Sequence, residues 1–260
     1  MDTRILLSLA TGMSIAGAAA YLGSLMLSRR MALVAGPLGH LTLPGVALAL
    51  LYGFDISLGA FPFVVVGVIL IWLIEIRTKL PMEALTAVVF ASGVAIAFLF
   101  LPLKEAETAL VGNVSKVGVS DTALAVVASL AVTVAVNRLY RRLVLINISE
   151  DLAASAGVDV KRDNLLYLLL IAIVVALGVR VVGALLTAAL VAIPPAAARL
   201  VTRSMGQYAF GSMAVGVASS LLGIVLFEFT GQPAGPLIVL ISAAIFLLSL
   251  LFGKRVASGG

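Results

Sequence analysis

The stretch I-L-L-S-L-A-T-G-M-S-I-A-G-A-A-A-Y-L-G-S-L-M-L, from Ile5 to Leu27, contains no charged side chain. A helix of about 20 apolar residues spans the hydrocarbon layer of a membrane. The stretch is too long for the core of a cleaved signal peptide, and it ends at Arg29-Arg30 without a small-residue cleavage site. We therefore expect it to remain in the protein as a transmembrane helix.

The rest of the chain has the same apolar character. Its 260 residues are 62% hydrophobic and 11% charged, with a mean hydropathy of +1.22, whereas soluble domains are roughly 45–50% apolar. The long apolar runs do not alternate with polar residues, which argues against a β-barrel, and the 24 glycines suit close helix packing in lipid. The composition predicts an all-α fold, a polytopic helical bundle that forms a single transmembrane domain over residues 1–260 of a cell membrane protein.

The apolar runs predict about eight to nine transmembrane helices. The sixth and seventh runs are separated only by G-V-R-V-V-G, Gly178 to Gly183, so one broken helix there would reduce the number to eight. Pro194-Pro195 predicts a kink or a stop near the end of the seventh. The candidate spans are 5–27, 33–53, 59–75, 82–101, 121–137, 164–178, 180–197, 207–228 and 236–252.

The basic residues predict the orientation of these spans. With the N-terminus outside, the inside loops are 28–32, 76–81, 138–163, 198–206 and 253–260, and they hold all but four of the 17 basic residues. Because basic residues in short loops favour the cytoplasm, the C-terminus is predicted to lie inside. The net charge of +5 is thereby explained by topology, and we infer no role in binding nucleic acid.

The longest inside loop carries the signature of a short helix, N-I-S-E-D-L-A-A-S-A-G-V-D. Ser149 is a good N-cap, Glu150 and Asp151 favour the positive end of the helix, and Gly157 can close it about two turns later. The pattern fits a solvated connector and a docking element for a partner equally well.

Charged residues inside membrane spans are costly, so each is a functional candidate. Glu75 and Glu83 lie near basic residues at the predicted cytoplasmic ends of their helices, where pairing and snorkelling explain them. Asp121 follows Ser120 at the start of a span and is read as a helix N-terminal residue. Arg180 and Glu228 lie near the predicted outer face, as a gate pair or as two unrelated interfacial charges.

His40, the only histidine in the chain, lies in G-P-L-G-H-L-T-L-P-G, Gly36 to Gly45. A neutral imidazole can be buried for structural reasons alone. However, Pro37 and Pro44 flank His40, and proline frees backbone carbonyls and allows a ring to point into a cavity. Imidazole is also a good ligand for zinc, copper, iron and nickel, and the absence of cysteine excludes thiolate ligands.

The segment R-R-M-A-L-V-A-G-P-L-G-H-L-T-L-P-G-V-A-L, Arg29 to Leu48, resembles a hallmark of the permease subunits of zinc, manganese and iron ABC importers, R-R-M-(A/S)-L-(I/V)-G-D-A-L-S-H-A-x-L-P-G-V-A-L. The resemblance covers most of the chain. It continues at Gly112-Asn113, at Glu150 to Val158 with Leu152 and Ala153, and at Val181 to Leu200.

The resemblance implies a homodimeric permease that is bound inside the cell by separate ATPase subunits and supplied outside by a metal-binding protein. It implies that His40 lies on the pathway of a transported divalent metal ion, with no permanently bound cofactor, and that Ser149 to Gly157 forms the ATPase-coupling helix. Gly36 replaces the aspartate of the family pattern, which removes an anionic ligand and favours a change of metal or of affinity.

Other functions are open to a membrane bundle of this kind. An importer of another solute, such as a metal chelate, would suit the missing aspartate, and a stand-alone carrier would have no ATPase partner. An intramembrane enzyme lacks a catalytic set, because the spans offer one histidine, no cysteine and no acidic pair. The chain contains no Walker G-x-x-x-x-G-K-[S/T] sequence, so we expect ATP hydrolysis to take place in a partner subunit and not in this chain.

Overall fold

The computed structural model describes residues 3–28, 35–54, 56–78, 80, 82–100, 117–181 and 183–257. Every regular element in this part of the chain is a helix. The helices are α1 (Thr3–Ser28), α2 (Ala35–His40), α3 (Leu43–Tyr52), α4 (Ile56–Thr78), α5 (Met82–Phe100), α6 (Val119–Ile148), α7 (Glu150–Ser155), α8 (Val160–Val181), α9 (Ala184–Val201), α10 (Met205–Thr230) and α11 (Ala234–Ala257).

In the part of the chain that the structure describes, six helices are long and apolar enough to cross a membrane by themselves, namely α1, most of α4, α6, most of α8, α10 and most of α11. Two shorter apolar segments, Ala84–Ile96 and Thr187–Val201, lie within α5 and α9. The predicted all-helical membrane fold is therefore confirmed in its class. The number of eight to nine crossings stays a prediction. Within the described residues the sixth and seventh predicted spans are separate helices, because the chain turns at Gly183, whose φ is +92°.

Three details differ from the sequence prediction. Span 33–53 was expected to be continuous, but α2 and α3 are separate helices with a turn at Leu41-Thr42. Span 121–137 continues as helix to Ile148, because Arg138 and its neighbours favour helix although they are too polar for lipid. Pro194-Pro195 does not stop α9, which runs to Val201.

α1 is the central helix of the bundle. It packs against α6, α8, α9 and α10, while α11 packs on α9 and α10. A second group, α2 to α5, joins the first where α4 meets α8 and where α2 meets α9. Buried positions include many small or hydroxyl side chains such as Ser24 and Ser212, whereas large apolar side chains such as Val127 and Leu247 are exposed, as expected of a surface that faces lipid.

The contact between α1 and α9 depends on one glycine and one proline. A Cβ atom built on Gly23 would overlap the carbonyl oxygen of Val191 and lie 3.0 Å from Cγ of Pro195. Pro195 has no amide hydrogen for the carbonyl four residues earlier, so the carbonyl of Val191 is left without its usual helical partner. The bare Cα of Gly23 covers this carbonyl and shields it from lipid.

We predict that Gly23→Ala destabilises the fold by about 1–3 kcal/mol, because the added methyl group must push two helix backbones apart. Gly206→Ala is the matched control, since Gly206 is also helical and a Cβ there meets nothing within 4 Å. Thermal unfolding of both variants in the same detergent measures the difference. Equal melting temperatures for the two variants would show that the contact between Gly23 and Val191 does not hold the helices together.

Candidate functional site

The turn between α2 and α3 carries the only histidine at its edge. α2 ends at His40, the amide of Thr42 donates to the carbonyl of Gly39 at 3.3 Å, and the Thr42 hydroxyl donates to the same carbonyl at 2.6 Å. The amide of Val46 donates to the carbonyl of Thr42 at 2.9 Å and starts the next helix. The buried Thr42 side chain therefore stabilises a break that would otherwise expose backbone groups.

This break lies at mid-depth in the bundle. A Cβ on Gly67, in the middle of α4, would come within 2.6 Å of the Leu41 side chain, and a Cβ on Gly93, near the middle of α5, would come within 2.7 Å of it. Leu41 is thus inserted between two helices at positions where each lacks a side chain. His40, the preceding residue, is thereby fixed about halfway between the two ends of the bundle.

The His40 imidazole is half-buried and packs on the ring of Phe90 in α5, with ring centroids 5.3 Å apart and a tilt of 56°. Within the described residues, the structure shows no hydrogen bond to the imidazole. In an unbroken helix the carbonyl of His40 would accept from the amide of residue 44, but Pro44 has no amide hydrogen. One residue therefore offers a ring nitrogen and a carbonyl oxygen, both of which can ligate a metal ion.

The other predicted pathway residues surround this break. Gly36 and Pro37 lie in α2, with Gly36 one turn before His40, and Pro44 lies in the first turn of α3. Among the described residues no three His, Cys, Asp or Glu side chains group together as a metal site.

Arg180 and Glu228 lie at the same end of the bundle, in the last turns of α8 and α10. The side chain of Glu228 is exposed, and that of Arg180 lies outside the described residues. Their pairing as a gate remains a prediction. The predicted exterior motif Gly112-Asn113 and the basic pair Arg29-Arg30 also lie outside the described residues.

The short helix predicted from Ser149 to Gly157 is present as α7. The Ser149 hydroxyl accepts from the amide of Leu152 at 3.2 Å, and Gly157 adopts a φ of +80° after the helix ends. Glu150 and Asp151 occupy the first turn and are exposed. The helix packs on α6 and α8 through Ala153, which is fully buried, and its outer surface also includes Leu152, Ala154 and Ser155.

Beside α7 lies a cavity of about 440 Å³, lined by residues of α4, α7 and α8 together with Leu80. Trp72 in α4 lines it and donates its indole N–H to the carbonyl of Lys161 in α8 at 3.1 Å. Glu75, which the sequence explained by pairing and snorkelling, lines the same cavity together with Glu150. Sequence reasoning missed Trp72, although a single tryptophan near the end of a span is typical of the membrane interface.

An ion pair joins α6 to α8, the helices that precede and follow α7 in the chain. Arg142 lies 4.0 Å from Asp163, whose side chain is only 3% exposed. The sequence did not single out Asp163, because nothing in its spacing shows that the start of α8 is covered by neighbouring helices. α7 is therefore held between two helices that are themselves bridged.

The comparisons with known proteins agree with this geometry. The chain is 28% identical over 252 residues to the manganese import system permease protein ScaB of Streptococcus parasanguinis, covering 95% of this chain and 90% of the relative. It is also 28% identical over 252 residues to the high-affinity zinc uptake system membrane protein ZnuB of Buchnera aphidicola, covering 94% and 93% of the two chains. The solved structure of PsaBC from Streptococcus pneumoniae in complex with Fab matches with a TM-score of 0.84 and 25% identity, over 96% of this chain and 91% of that one.

The family match extends over residues 1–253. It therefore includes the break at His40, the α7 helix and the helices that bury them. The chain belongs to the ABC 3 transport family.

Proposed function

We propose that this chain is the membrane-spanning permease subunit of an ABC importer for a divalent transition metal ion, namely zinc, manganese or iron. The observation that carries the proposal is the broken helix, which holds the single histidine at mid-depth with its ring nitrogens free of hydrogen bonds within the described residues. The manganese and zinc systems named for the relatives support the same substrate class.

The few ligands that His40 offers suit a metal ion that passes through the protein better than one that is bound permanently. One imidazole and one carbonyl oxygen form an incomplete coordination shell, so water or His40 of a second copy would supply the remaining ligands. The ion is the cargo, and no cofactor is permanently bound. A homodimer would bring two such breaks to a shared pathway.

The proposed partners follow from the two ends of the bundle. Two ATPase subunits bind the end that carries α7 and supply the energy of ATP hydrolysis, and an extracytoplasmic metal-binding protein delivers the ion at the other end. The whole chain, residues 1–260, acts as one transmembrane permease domain. α7 is suited to docking because its exposed surface presents Leu152, which is 52% exposed, beside the acidic residues Glu150 and Asp151.

Nine membrane crossings give the proposed topology, with the N-terminus outside. They are the six long helices together with α5, α9 and the broken pair α2–α3. The packing is consistent with this alternation, because the ends assigned to one side contact one another: Tyr140 in α6 donates to the carbonyl of Met205 at the start of α10, and Trp72 to that of Lys161.

The His40 proposal predicts that His40→Ala lowers metal-dependent uptake by at least about tenfold, because a ligand is lost at the centre of the pathway. His40→Asn, which keeps a polar group at the break, should lower it similarly. Gly36→Asp should tighten metal binding, since residues 36 and 40 share one face of α2. Uptake is measured with zinc, manganese and iron in vesicles that contain the ATPase and the binding protein. Unchanged uptake of all three metals by His40→Ala would assign His40 a purely structural role.

The docking proposal predicts that cysteine at Leu152 or Ala154 crosslinks to the ATPase subunit in the assembled complex. Cysteine at Ala153 is the matched control and should not react, because Ala153 is 0% exposed. From sequence alone Ala153 and Ala154 were both expected to crosslink, and the burial of Ala153 leaves only Ala154 of the two. Free labelling of Ala154→Cys by a bulky aqueous reagent in the complex, without any crosslink, would contradict the docking role.

The topology predicts that a cysteine at Arg180 is labelled by a membrane-impermeant reagent added outside intact cells, because the turn after α8 lies at the outer face. A cysteine at Ala154 should be labelled only after the membrane is opened. Labelling of the Arg180 position only from the cytoplasm would reverse the orientation.

A further inference from the structure

A second cavity, of about 200 Å³, lies where α1 ends and where α9 passes into α10. It is lined by Ser28, Arg199, Thr202, Arg203, Ser204, Met205 and Tyr208. None of these residues belongs to the break at His40 or to α7. The cavity is therefore distinct from both parts of the proposed transport machinery.

The polar groups around this cavity are suited to an anion. The structure shows no carboxylate paired with the guanidinium of Arg199 or Arg203 in the described part of the chain. The cavity also lies at the N-terminus of α10, a helix of 26 residues whose N-cap Ser204 accepts from the amide of Gln207 at 3.3 Å. Helix N-termini and arginine both favour phosphate groups.

Tyr208 provides an independent observation. Its side chain is only 5% exposed, it lines the cavity, and its hydroxyl oxygen is buried without a hydrogen-bond partner in the described residues. The Ser28 hydroxyl also lines the cavity and donates to the carbonyl of Ser24 at 2.9 Å, and its oxygen lies outside hydrogen-bond geometry with the Tyr208 hydroxyl. A buried hydroxyl without a partner is costly, and a bound phosphate oxygen would satisfy it.

The neighbouring surface is apolar. Val201, Met205 and Phe210 follow one another across the junction of α9 and α10 and are 45%, 40% and 62% exposed. Because α10 is long and apolar enough to cross a membrane from Met205, we infer that these side chains lie near the boundary between headgroups and acyl chains. A phosphate in the cavity would thus have hydrocarbon directly beside it.

We propose that this cavity binds the phosphate of an anionic phospholipid of the inner leaflet, with the acyl chains lying along Val201, Met205 and Phe210. Arg199 and Arg203 neutralise the phosphate, and the Tyr208 hydroxyl donates to one of its oxygens. Basic pockets between helices on the cytoplasmic side are known to favour such headgroups. The bound lipid would fill the cavity between the end of α1, the end of α9 and the start of α10.

The test compares the full chain in nanodiscs of phosphatidylglycerol and of phosphatidylcholine with the same acyl chains, and counts retained lipid by native mass spectrometry. The wild-type protein should retain phosphatidylglycerol selectively. Arg199→Gln with Arg203→Gln should reduce that retention by about tenfold, and Tyr208→Phe should reduce it without lowering stability in phosphatidylcholine. The matched control is Arg138→Gln with Arg141→Gln, which removes the same charge from exposed positions of α6 and should leave retention unchanged.

Equal retention by the two double variants would overturn the proposal, because the effect would then come from net charge alone. Retention of inorganic phosphate together with equal retention of the two lipids would also overturn it, since the site would then recognise a free anion. The double variant is also reconstituted with the ATPase subunit. If it loses that subunit while it keeps phosphatidylglycerol, the anion is a carboxylate of the ATPase and the lipid site is wrong. Uptake through His40 is measured separately, so these outcomes do not depend on the transport proposal.

Discussion

The structure depends on the close approach of helix backbones at positions where a side chain is missing. At Gly23 the backbone of α1 meets the carbonyl of Val191 in α9, and at Gly45 the backbone of α3 meets the carbonyl of Gly59 in α4. Lipid is as apolar as leucine, so burial of apolar surface does not drive helices together in a membrane. Dispersion forces, weak Cα–H···O contacts and interhelical hydrogen bonds such as that from Trp72 to Lys161 do so instead, and all of them need short distances.

This constraint explains how a helix can be broken at mid-depth. Unpaired backbone groups at the centre of a bilayer are tolerated only against protein or a cavity. At the α2–α3 turn, the hydroxyl and the amide of Thr42 both donate to the carbonyl of Gly39, and Leu41 fills the space left by Gly67 and Gly93. The same packing that closes the protein around the turn leaves His40 half-buried, with its ring against Phe90.

The sequence contains enough information to predict the class of fold and the short helix α7, because these depend on local signals. Hydrophobic run length predicts a membrane helix, and Ser149 with Gly157 predicts the two ends of α7. The break after His40 was not predicted, although Pro44 pointed to it, since proline inside a membrane helix is compatible with a kink, a stop or an intact helix. Pro195 does not stop its helix, because α9 continues through it to Val201.

Burial and contacts between distant segments could not be predicted from one sequence. Ala153 and Ala154 are identical in type and adjacent, yet only Ala153 faces α6 and α8. Trp72 and Lys161 are 89 positions apart, and no local pattern indicates that the indole reaches that carbonyl. These contacts join α7 to the rest of the bundle. Sequence reasoning therefore located His40 and α7 but did not find the contacts that lie between them.

The connection is a continuous series of packed contacts. Ala153 seats α7 between α6 and α8, the Lys161 carbonyl of α8 accepts from Trp72 of α4, and Gly67 of the same α4 holds Leu41 beside His40. Because α4 is one helix from Ile56 to Thr78, its two contacts cannot move independently of each other. Coupling between distant sites is carried by such chains of contacts and rigid helices. In the proposed function, this series of contacts gives a displacement of α7 a route to the residue next to His40 that requires no loop between them to refold.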